Sequence, residues 1–344
     1  MALTDLEQVT PAWLTEVLTS NGTLERGAVV DVEKQGSSTN TAAVARLRLD
    51  YSDDAPDDAP RRLFLKLSDR RREVDFYRVI APAMVRPPVL RCYDAVYSRE
   101  AARSHLLVED LAETHLSAEE SLPPSTPRYE RLIDALAGIH GHWWDHPRLK
   151  GDIRELAGNI KQFVIQMVNN SFPAFVDFLG DRLSPERRAI YERVLAAWPL
   201  PDVGERLASG RGVTITHGDA HPWNFLSPRD PASDSVKIID WAMWQVGIGT
   251  DDLAYMIAMH DFPDYRARME RQLVRRYHDQ LLARGVAGYA WDRCWLDYRT
   301  SAISNLFWPV FHWSVKGAPA LWWPNLERAM IAFHDLRCED LLEA

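Results

Sequence analysis

The chain has 344 residues, about twice the length of an ordinary domain, so one large domain or two lobes is expected. It carries 40 Lys and Arg against 49 Asp and Glu, and this net charge of −9 disfavours a nucleic-acid partner. No apolar stretch reaches the ~20 residues of a membrane span. Three widely spaced cysteines without a CxxC pair indicate neither a disulfide framework nor a zinc ribbon. We expect a cytoplasmic protein with neither nucleic acid nor membrane as a partner, and the sequence leaves its oligomeric state open.

The first third of the chain has the pattern of a β-rich unit that begins with one helix. Thr10 followed by Pro11 is a helix start signal. A second helix is predicted from Glu73 to Ile80. Alternating or continuous apolar runs predict five strands around that helix, at Val29–Val32, Ala43–Leu49, Leu63–Leu67, Tyr93–Tyr97 and His105–Val108.

Helical periodicity dominates from Tyr129 onward, after a change of pattern near residues 110–125. One predicted strand pair, Val213–Thr216 with Val236–Ile239, interrupts the helices. Strands that cluster first and helices that follow predict a two-lobed α+β protein. We therefore predict an N-lobe at residues 1–111 and a C-lobe at residues 112–344.

The densest polar cluster follows the strand that ends at Thr216. Asp219 and Asn224 lie before a short strand, and Asp240 lies at the end of the next one. A hairpin of these two strands would bring the three side chains to one place. Oxygen ligands without a thiolate suit a hard cation such as Mg²⁺. The sequence predicts a Mg²⁺–nucleotide site at Asn224 and Asp240, with Asp219 holding a substrate hydroxyl.

The same segment offers a second chemistry. His217, Asp219 and His221 form an H-x-D-x-H pattern, which could hold a catalytic Zn²⁺ in a hydrolase. Gly218 and Pro222 break the strand on which such ligands would share a face. We therefore favour hydrogen bonds from the two histidines to the backbone over metal ligation.

Lys66 lies in the middle of an apolar strand, where an ammonium group needs an anionic partner. Glu73, on the helix that follows, is the nearest candidate. A Lys–Glu pair in which the Lys contacts phosphates is the protein-kinase arrangement. The alternative is a surface Lys whose stem lies along apolar neighbours.

Two further segments could contact a nucleotide. Gly36, Ser37 and Ser38 begin a small polar turn, Gly36–Asn40, whose backbone N–H groups could cover phosphates, although it has only one glycine. The apolar strand Leu106–Leu111 ends at the lobe boundary, where backbone groups could pair with an adenine edge. The alternative for this strand is an ordinary strand end.

Taken together, these residues resemble the aminoglycoside phosphotransferase and choline kinase superfamily. The resemblance is carried by His217-Gly218-Asp219, by Asn224 five residues after Asp219, and by Asp240 sixteen residues after Asn224. The run from His217 to Asp252 is most similar to bacterial relatives in the ecdysteroid-kinase-like branch. The resemblance implies a protein-kinase-like fold with a β-rich N-lobe and a mostly helical C-lobe.

The resemblance also implies roles for the residues. Asp219 would take the proton of the acceptor hydroxyl, and His217 would brace its loop. Asn224 and Asp240 would hold Mg²⁺ on ATP. The nucleotide would also be contacted by Lys66 with Glu73, by the turn at Gly36, Ser37 and Ser38, and by the backbone of Glu109 and Leu111.

The acceptor is expected to be a small molecule with a hydroxyl group. Only ten residues separate Asp240 from Asp251, too few for the activation segment of a protein kinase. An amino sugar, an aminoglycoside or another antibiotic would fit, since Asp251 could face a cation. We interpret Asp252 and Asp261 as caps or solvated residues. The alternatives are a nucleotide-binding pseudokinase and the zinc hydrolase.

Overall fold

The structure is a computed structural model that describes residues 2–38, 42–116, 124–232 and 235–342. By their internal contacts the residues form two compact units. The first unit is Met1–Leu116 with Pro228–Ala242, and the second is Ser117–Ser227 with Met243–Ala344. The return of the chain to the first unit does not follow from the sequence pattern. The boundary at residue 111 between the expected N-lobe and C-lobe stays a prediction.

The first unit is built on a five-stranded antiparallel sheet whose strand order is β1-β2-β3-β5-β4. All five strands predicted for this part of the chain are present, with wider bounds than the patterns gave. They are β1 (Val29–Ser38), β2 (Ala42–Tyr51), β3 (Arg62–Ser68), β4 (Cys92–Ser98) and β5 (Arg103–Glu109).

The predicted turn at Gly36–Asn40 is wrong for its first residues. β1 continues through Gly36, Ser37 and Ser38, and in the ladder Gly36 lies opposite Ala45 and Ser37 opposite Val44. The backbone of β2 pairs with β1 along this stretch, so the strand extends through small polar residues that have little strand preference of their own. The rest of the predicted turn, residues 39–40, lies outside the described residues.

One face of this sheet forms the core of the first unit. Leu47, Leu65 and Leu107, on three different strands, are almost completely buried, and burial of each stabilises the fold by roughly 1.5–3 kcal/mol. Helix α1 (Pro11–Ser20) packs against β1. As predicted, the hydroxyl of Thr10 accepts a hydrogen bond, 3.2 Å long, from the backbone N–H of Trp13 at the start of α1.

The remaining elements of the first unit are short. Helix α2 (Arg71–Asp75) lies in the segment predicted to be helical and continues as a helical turn over Phe76–Ile80. Strand β6 is His115–Leu116 and strand β9 is Lys237–Ile238. The backbone N–H of Ile238 donates to the carbonyl of Pro88 at 2.7 Å, which anchors the returning segment.

The second unit is mostly helical. Helix α3 packs against α9, and α5 packs against α11. Leu132 and Leu136 of α3 and Leu273 of α9 are buried. The helices are α3 (Thr126–Trp143), α4 (Asp152–Ala157), α5 (Ile160–Leu179), α6 (Pro185–Ala197), α7 (Pro201–Ser209), α8 (Thr250–Leu253), α9 (Pro263–Ala283), α10 (Trp291–Ser304), α11 (Phe307–Ser314) and α12 (Pro319–Asp335).

Three short strands lie among these helices: β7 (Thr214–Thr216), β8 (Phe225–Pro228) and β10 (Gln245–Gly247). β7 pairs with β10 in antiparallel register, so the predicted pairing of Val213–Thr216 with Val236–Ile239 is wrong. The apolar run at 236–239 looks equally suitable as a partner, and only tertiary structure chooses between the two. No helix among the described residues is both long and apolar enough to cross a membrane.

Candidate functional site

In the first unit, Lys66 of β3 lies between two carboxylates. Its Nζ is 2.8 Å from Oε2 of Glu73 and 3.0 Å from Oδ1 of Asp240. Burial by itself would lower the pKa of Lys66, but Glu73 and Asp240 outweigh burial and raise it above its ordinary value. The predicted ion pair of Lys66 with Glu73 is present, and Lys66 is a fixed positive charge at neutral pH.

Asp240 and Trp241 point to different neighbours within the first unit. Asp240 has a φ of 60°, in the left-handed region that residues with a β-carbon rarely adopt. The indole of Trp241 is buried and stacks on the ring of Phe76, with 3.9 Å between centroids and 6° between planes. Its Nε1 donates to the carbonyl of Ile238 at 3.0 Å. The turn at Asp240 therefore presents its carboxylate to Lys66 while the next side chain packs inward.

Glu109 and Leu111 lie at and just beyond the end of β5. The backbone N–H of Glu109 donates to the carbonyl of Arg91 at 3.0 Å, so that donor is taken. The carbonyl of Leu111 accepts from the backbone N–H groups of Thr114 and His115. Within the described part of the chain, the N–H of Leu111 has no acceptor. The predicted adenine contact is left to the Leu111 N–H and the Glu109 carbonyl, and stays a prediction.

In the second unit, Asp219 and Asn224 lie on one loop after β7. The side-chain Nδ2 of Asn224 donates to the backbone carbonyl of Asp219 at 2.9 Å. The ring Nδ1 of His217 accepts from the backbone N–H of Asp219 at 3.2 Å. The predicted backbone hydrogen bond of His217 is confirmed, and the loop is held from both sides of Asp219. The amide of Asn224 uses its nitrogen in this contact, which leaves its oxygen as the atom that suits a cation.

Asp252 of α8 is the strongest support of this loop, and the interpretation of it as a cap or solvated residue is wrong. Its carboxylate accepts from the backbone N–H groups of His217, at 2.6 Å, and Gly218, at 2.9 Å. Its Oδ2 also lies 3.2 Å from Nε2 of His140, whose Nδ1 is 2.8 Å from the hydroxyl of Tyr277. Burial raises the pKa of Asp252, but the hydrogen bonds from His140 and His217 more than offset it and leave the pKa below its ordinary value.

Gly218 is the residue that lets this loop turn. Its φ is +79°, and a β-carbon there would lie 2.3 Å from the carbonyl oxygen of Met243. Only glycine fits such an approach of two backbone segments. The glycine between His217 and Asp219 is thus a structural requirement.

Asp261 is likewise not solvated, which corrects the second acidic assignment. It is 2% exposed, and it lies close to the buried hydroxyl of Tyr129, whose pKa is raised by burial and further by the charge of Asp261. Its Oδ1 accepts from the backbone N–H of Phe262 at 2.8 Å. These contacts place Asp261 in the packing between α3 and the start of α9.

No group of three His, Cys, Asp or Glu side chains is arranged to hold a metal anywhere in residues 2–38, 42–116, 124–232 or 235–342. The ligands of the alternative zinc hydrolase would be His217, Asp219 and His221. His217 uses its Nδ1 on the backbone, and Nε2 of His221 lies 3.6 Å from the Asp219 carboxylate. Asn224 and Asp240 belong to different units, and their assignment to one Mg²⁺ stays a prediction.

A small cavity in the second unit opens beside the loop. Gly218 lies on its wall, together with Tyr255 and Trp308. Lys161 of α5 and Asp251 of α8 also line it, and their charges are paired at 2.9 Å between Nζ and Oδ2. Asp251 was expected to face a cationic substrate, but its charge is already compensated by Lys161.

Two functional candidates in this region escaped the sequence analysis. The sequence does not indicate the role of Asp252, because its burial depends on packing against a loop 34 residues away. Tyr255 is 5% exposed, and burial raises its pKa, with a further contribution from the nearby charge of Asp219. The only signal for either in the sequence is their position at the start of an apolar helical run.

Comparison with known proteins places these features in context. The model of a family described as the phosphotransferase enzyme family matches residues 52–294, well over half of the chain. None of the curated proteins compared with the chain matches it.

Solved structures of similar fold extend over nearly the whole chain. A candidate aminoglycoside phosphotransferase from Ralstonia eutropha JMP134 is 14% identical, with a TM-score of 0.60 and coverage of 95% of this chain and 98% of that chain. A choline kinase from Cryptosporidium parvum Iowa II is 12% identical, with a TM-score of 0.59 and coverage of 96% of both chains. The streptomycin–ATP–APH(2″)-IIa ternary complex is 14% identical, with a TM-score of 0.52 and coverage of 96% and 99%.

At these identities the solved structures show the fold, which is α+β and kinase-like, as the sequence predicted. The family match adds the kind of enzyme. The chain belongs to the phosphotransferase enzyme family.

Proposed function

We propose that the protein transfers the γ-phosphate of ATP, with Mg²⁺, to a hydroxyl group of a small molecule. The observation that carries this proposal is the Lys66 ammonium held between Glu73 and Asp240 within hydrogen-bond distance of both. A Lys fixed by a helix carboxylate is the arrangement with which kinases hold the phosphates of ATP. The ATP-bound complex among the structures of similar fold supports the choice of nucleotide.

The residues present fit a nucleotide and a divalent cation. The side chain of Asp240 is 46% exposed although it contacts Lys66, so its carboxylate is accessible to a cation. Asn224 presents an amide oxygen, because its nitrogen holds the Asp219 carbonyl. Asp240 and Asn224 would hold Mg²⁺, which neutralises charge that develops on the transferred phosphate.

Asp219 is the proposed group that orients the acceptor hydroxyl and accepts its proton. Its carboxylate is about one third exposed and belongs to a loop fixed by His217, Asn224 and Asp252. Phosphoryl transfer has a loose transition state and depends mainly on positioning and charge neutralisation. A carboxylate on a rigid loop meets that requirement.

The test is an ATP-consumption screen of the purified protein against alcohols, sugars, aminoglycosides and other hydroxylated antibiotics, with mass spectrometry of the products. With an acceptor found, Asp219→Asn should lower turnover roughly 10²–10⁴-fold, the range for a general base. Nucleotide affinity should stay unchanged in that variant. The exposed Asp177→Asn on α5 is a matched control and should behave as the parent.

Two results would contradict the proposal. Unchanged turnover in Asp219→Asn would remove Asp219 from the reaction. Nucleotide binding without phosphate transfer to any acceptor would favour the pseudokinase. A cytoplasmic site of action belongs to the same proposal, because ATP and Mg²⁺ are supplied there.

A further inference from the structure

Six rings of the second unit form one continuous surface, which we call the aromatic wall. His260 is at its centre. Its ring centroid lies 4.7 Å from Tyr255, 5.7 Å from His221 and 5.9 Å from Trp223. Trp308 of α11 continues the wall, at 5.4 Å from Tyr255 and 5.8 Å from His312. Each ring contacts the next, so the wall offers flat apolar faces bordered by heteroatoms.

The aromatic wall adjoins Asp219. Burial raises the pKa of Tyr255, and the nearby charge of Asp219 raises it further, while Nε2 of His221 lies 3.6 Å from Oδ2 of Asp219. His312 is near enough to interact with the charge of Asp219. Tyr255 and Trp308 also line the cavity beside Gly218. A molecule that presents a hydroxyl to Asp219 would therefore have these rings beside it.

The wall carries little charge. Burial lowers the pKa of His260 to about 3, and the neighbouring His221, Arg328 and His312 add to that effect. Burial also lowers the pKa of His312. Both imidazoles are neutral at pH 7.

Two carboxylates that line the cavity beside the wall, apart from Asp219, are already engaged. Asp251 is paired with Lys161 at 2.9 Å, and Asp252 accepts the backbone N–H groups of His217 and Gly218. An acceptor with several ammonium groups needs carboxylates to pair with them, because burying an unpaired cation is costly. Neither of these two side chains is available for that purpose.

His312 carries a polar atom of the aromatic wall that needs a hydrogen-bond partner. Nδ1 of His312 is buried and has no hydrogen-bond partner within the described ranges of the chain. Buried polar atoms in proteins almost always have a partner. This nitrogen marks a place for a polar group of a bound molecule at the edge of the apolar surface.

We propose that the acceptor is an uncharged alcohol built on an apolar or aromatic ring system that lies flat on Trp308 and the neighbouring rings of the wall. This inference rests on the proposed function, since it names the substrate class of the same site. It differs from the amino sugar or aminoglycoside expected from the sequence. The reason is that the wall supplies ring faces and neutral heteroatoms, while Asp251 and Asp252 beside it are already engaged.

The experiment compares matched acceptors in two assays. The pairs are neutral ring-bearing alcohols and the same alcohols with an amino group added, together with choline and an aminoglycoside. One assay measures kcat/KM with ATP and Mg²⁺, and the other measures binding by calorimetry without nucleotide. We expect the neutral member of each pair to be preferred at least about tenfold in both assays. Preference for the amino, quaternary ammonium or aminoglycoside member would overturn the inference.

Single-residue variants test whether the aromatic wall causes the preference for neutral acceptors. Trp308→Ala should raise the KM of a neutral acceptor at least about tenfold with a smaller change in kcat, because an aromatic face is lost. Trp308→Phe, which keeps an aromatic face, should have a KM close to that of the parent. Trp323→Ala, an exposed Trp on α12, is the control. An unchanged KM in Trp308→Ala, with thermal stability as in the parent, would contradict the seating of the acceptor on the wall.

His312→Asp adds a carboxylate at the wall and should shift preference toward the amino member of a pair. An unchanged preference in this variant, with a folded protein, would contradict the idea that the low charge of the wall selects a neutral acceptor.

The binding assay separates the inference about the acceptor from the proposed function. Absence of phosphate transfer with any acceptor would overturn the proposed function, while binding preference would still decide the class of molecule that the wall accepts.

Discussion

The indole of Trp241 lies flat on the ring of Phe76, with 3.9 Å between centroids and only 6° between planes. This stack joins the segment that carries Asp240 to the helical turn that follows Glu73. Both ends of the ion-pair cluster around Lys66 therefore share one packed support. Phe76 and Trp241 are each fully buried.

Trp241→Ala should lower the free energy of unfolding by about 3–5 kcal/mol, the usual cost of truncating a buried Trp. Nucleotide affinity should fall as well, because Asp240 loses the neighbour that fixes its backbone. Trp241→Phe should retain most of the stability and most of the nucleotide affinity of the parent. Urea unfolding and calorimetry with Mg²⁺–ATP measure these effects, and a destabilised variant with unchanged affinity would show that the stack supports only the fold.

Glu73→Gln should lower kcat/KM for ATP roughly 10–100-fold with little loss of stability, because the amide preserves shape but removes the charge that holds Lys66. Asp75→Asn is a control on the same helix, since Asp75 pairs with Arg71 at 3.1 Å and does not contact Lys66. Steady-state kinetics with ATP as the varied substrate measures kcat/KM for both variants. Equal effects in the two variants would contradict a specific role for Glu73.

Asp252→Asn should destabilise the protein by about 3–5 kcal/mol at neutral pH, because a buried carboxylate with three hydrogen-bond donors loses its charge and half of its acceptors. Turnover should fall together with stability, since the loop of Asp219 loosens.

The pH dependence of this variant follows from the lowered pKa of Asp252 in the folded protein. The unfolded chain, with an Asp pKa of about 3.9, binds this proton more tightly than the folded protein. The contribution of Asp252 to stability is therefore complete above that pH and is lost as the pH falls through the folded-state pKa. Thermal melts from pH 3 to 7 should show a shallower acid slope in Asp252→Asn, and parallel slopes would contradict the assignment.

The strands of the first unit and the helical character of the second could be predicted because their patterns are local. Alternation in β2 and the Thr10 cap each depend on neighbours a few residues away. The ion pair of Lys66 with Glu73 was predictable for a related reason, since a Lys on an apolar strand requires an anionic partner. The motif from His217 to Asp240 was predictable from its spacing.

The sequence by itself determined the α+β class and the family, and it predicts the residues proposed for phosphoryl transfer, because these follow from local periodicity and motif spacing. The tertiary structure alone decided that β7 pairs with β10, that Gly36 continues a strand, and that Asp252 is buried beneath the loop of Asp219. It also decided that Asp251 is neutralised by Lys161 beside the aromatic wall. Pairing partners, burial and charge compensation depend on which distant segments come together, and no local pattern encodes that.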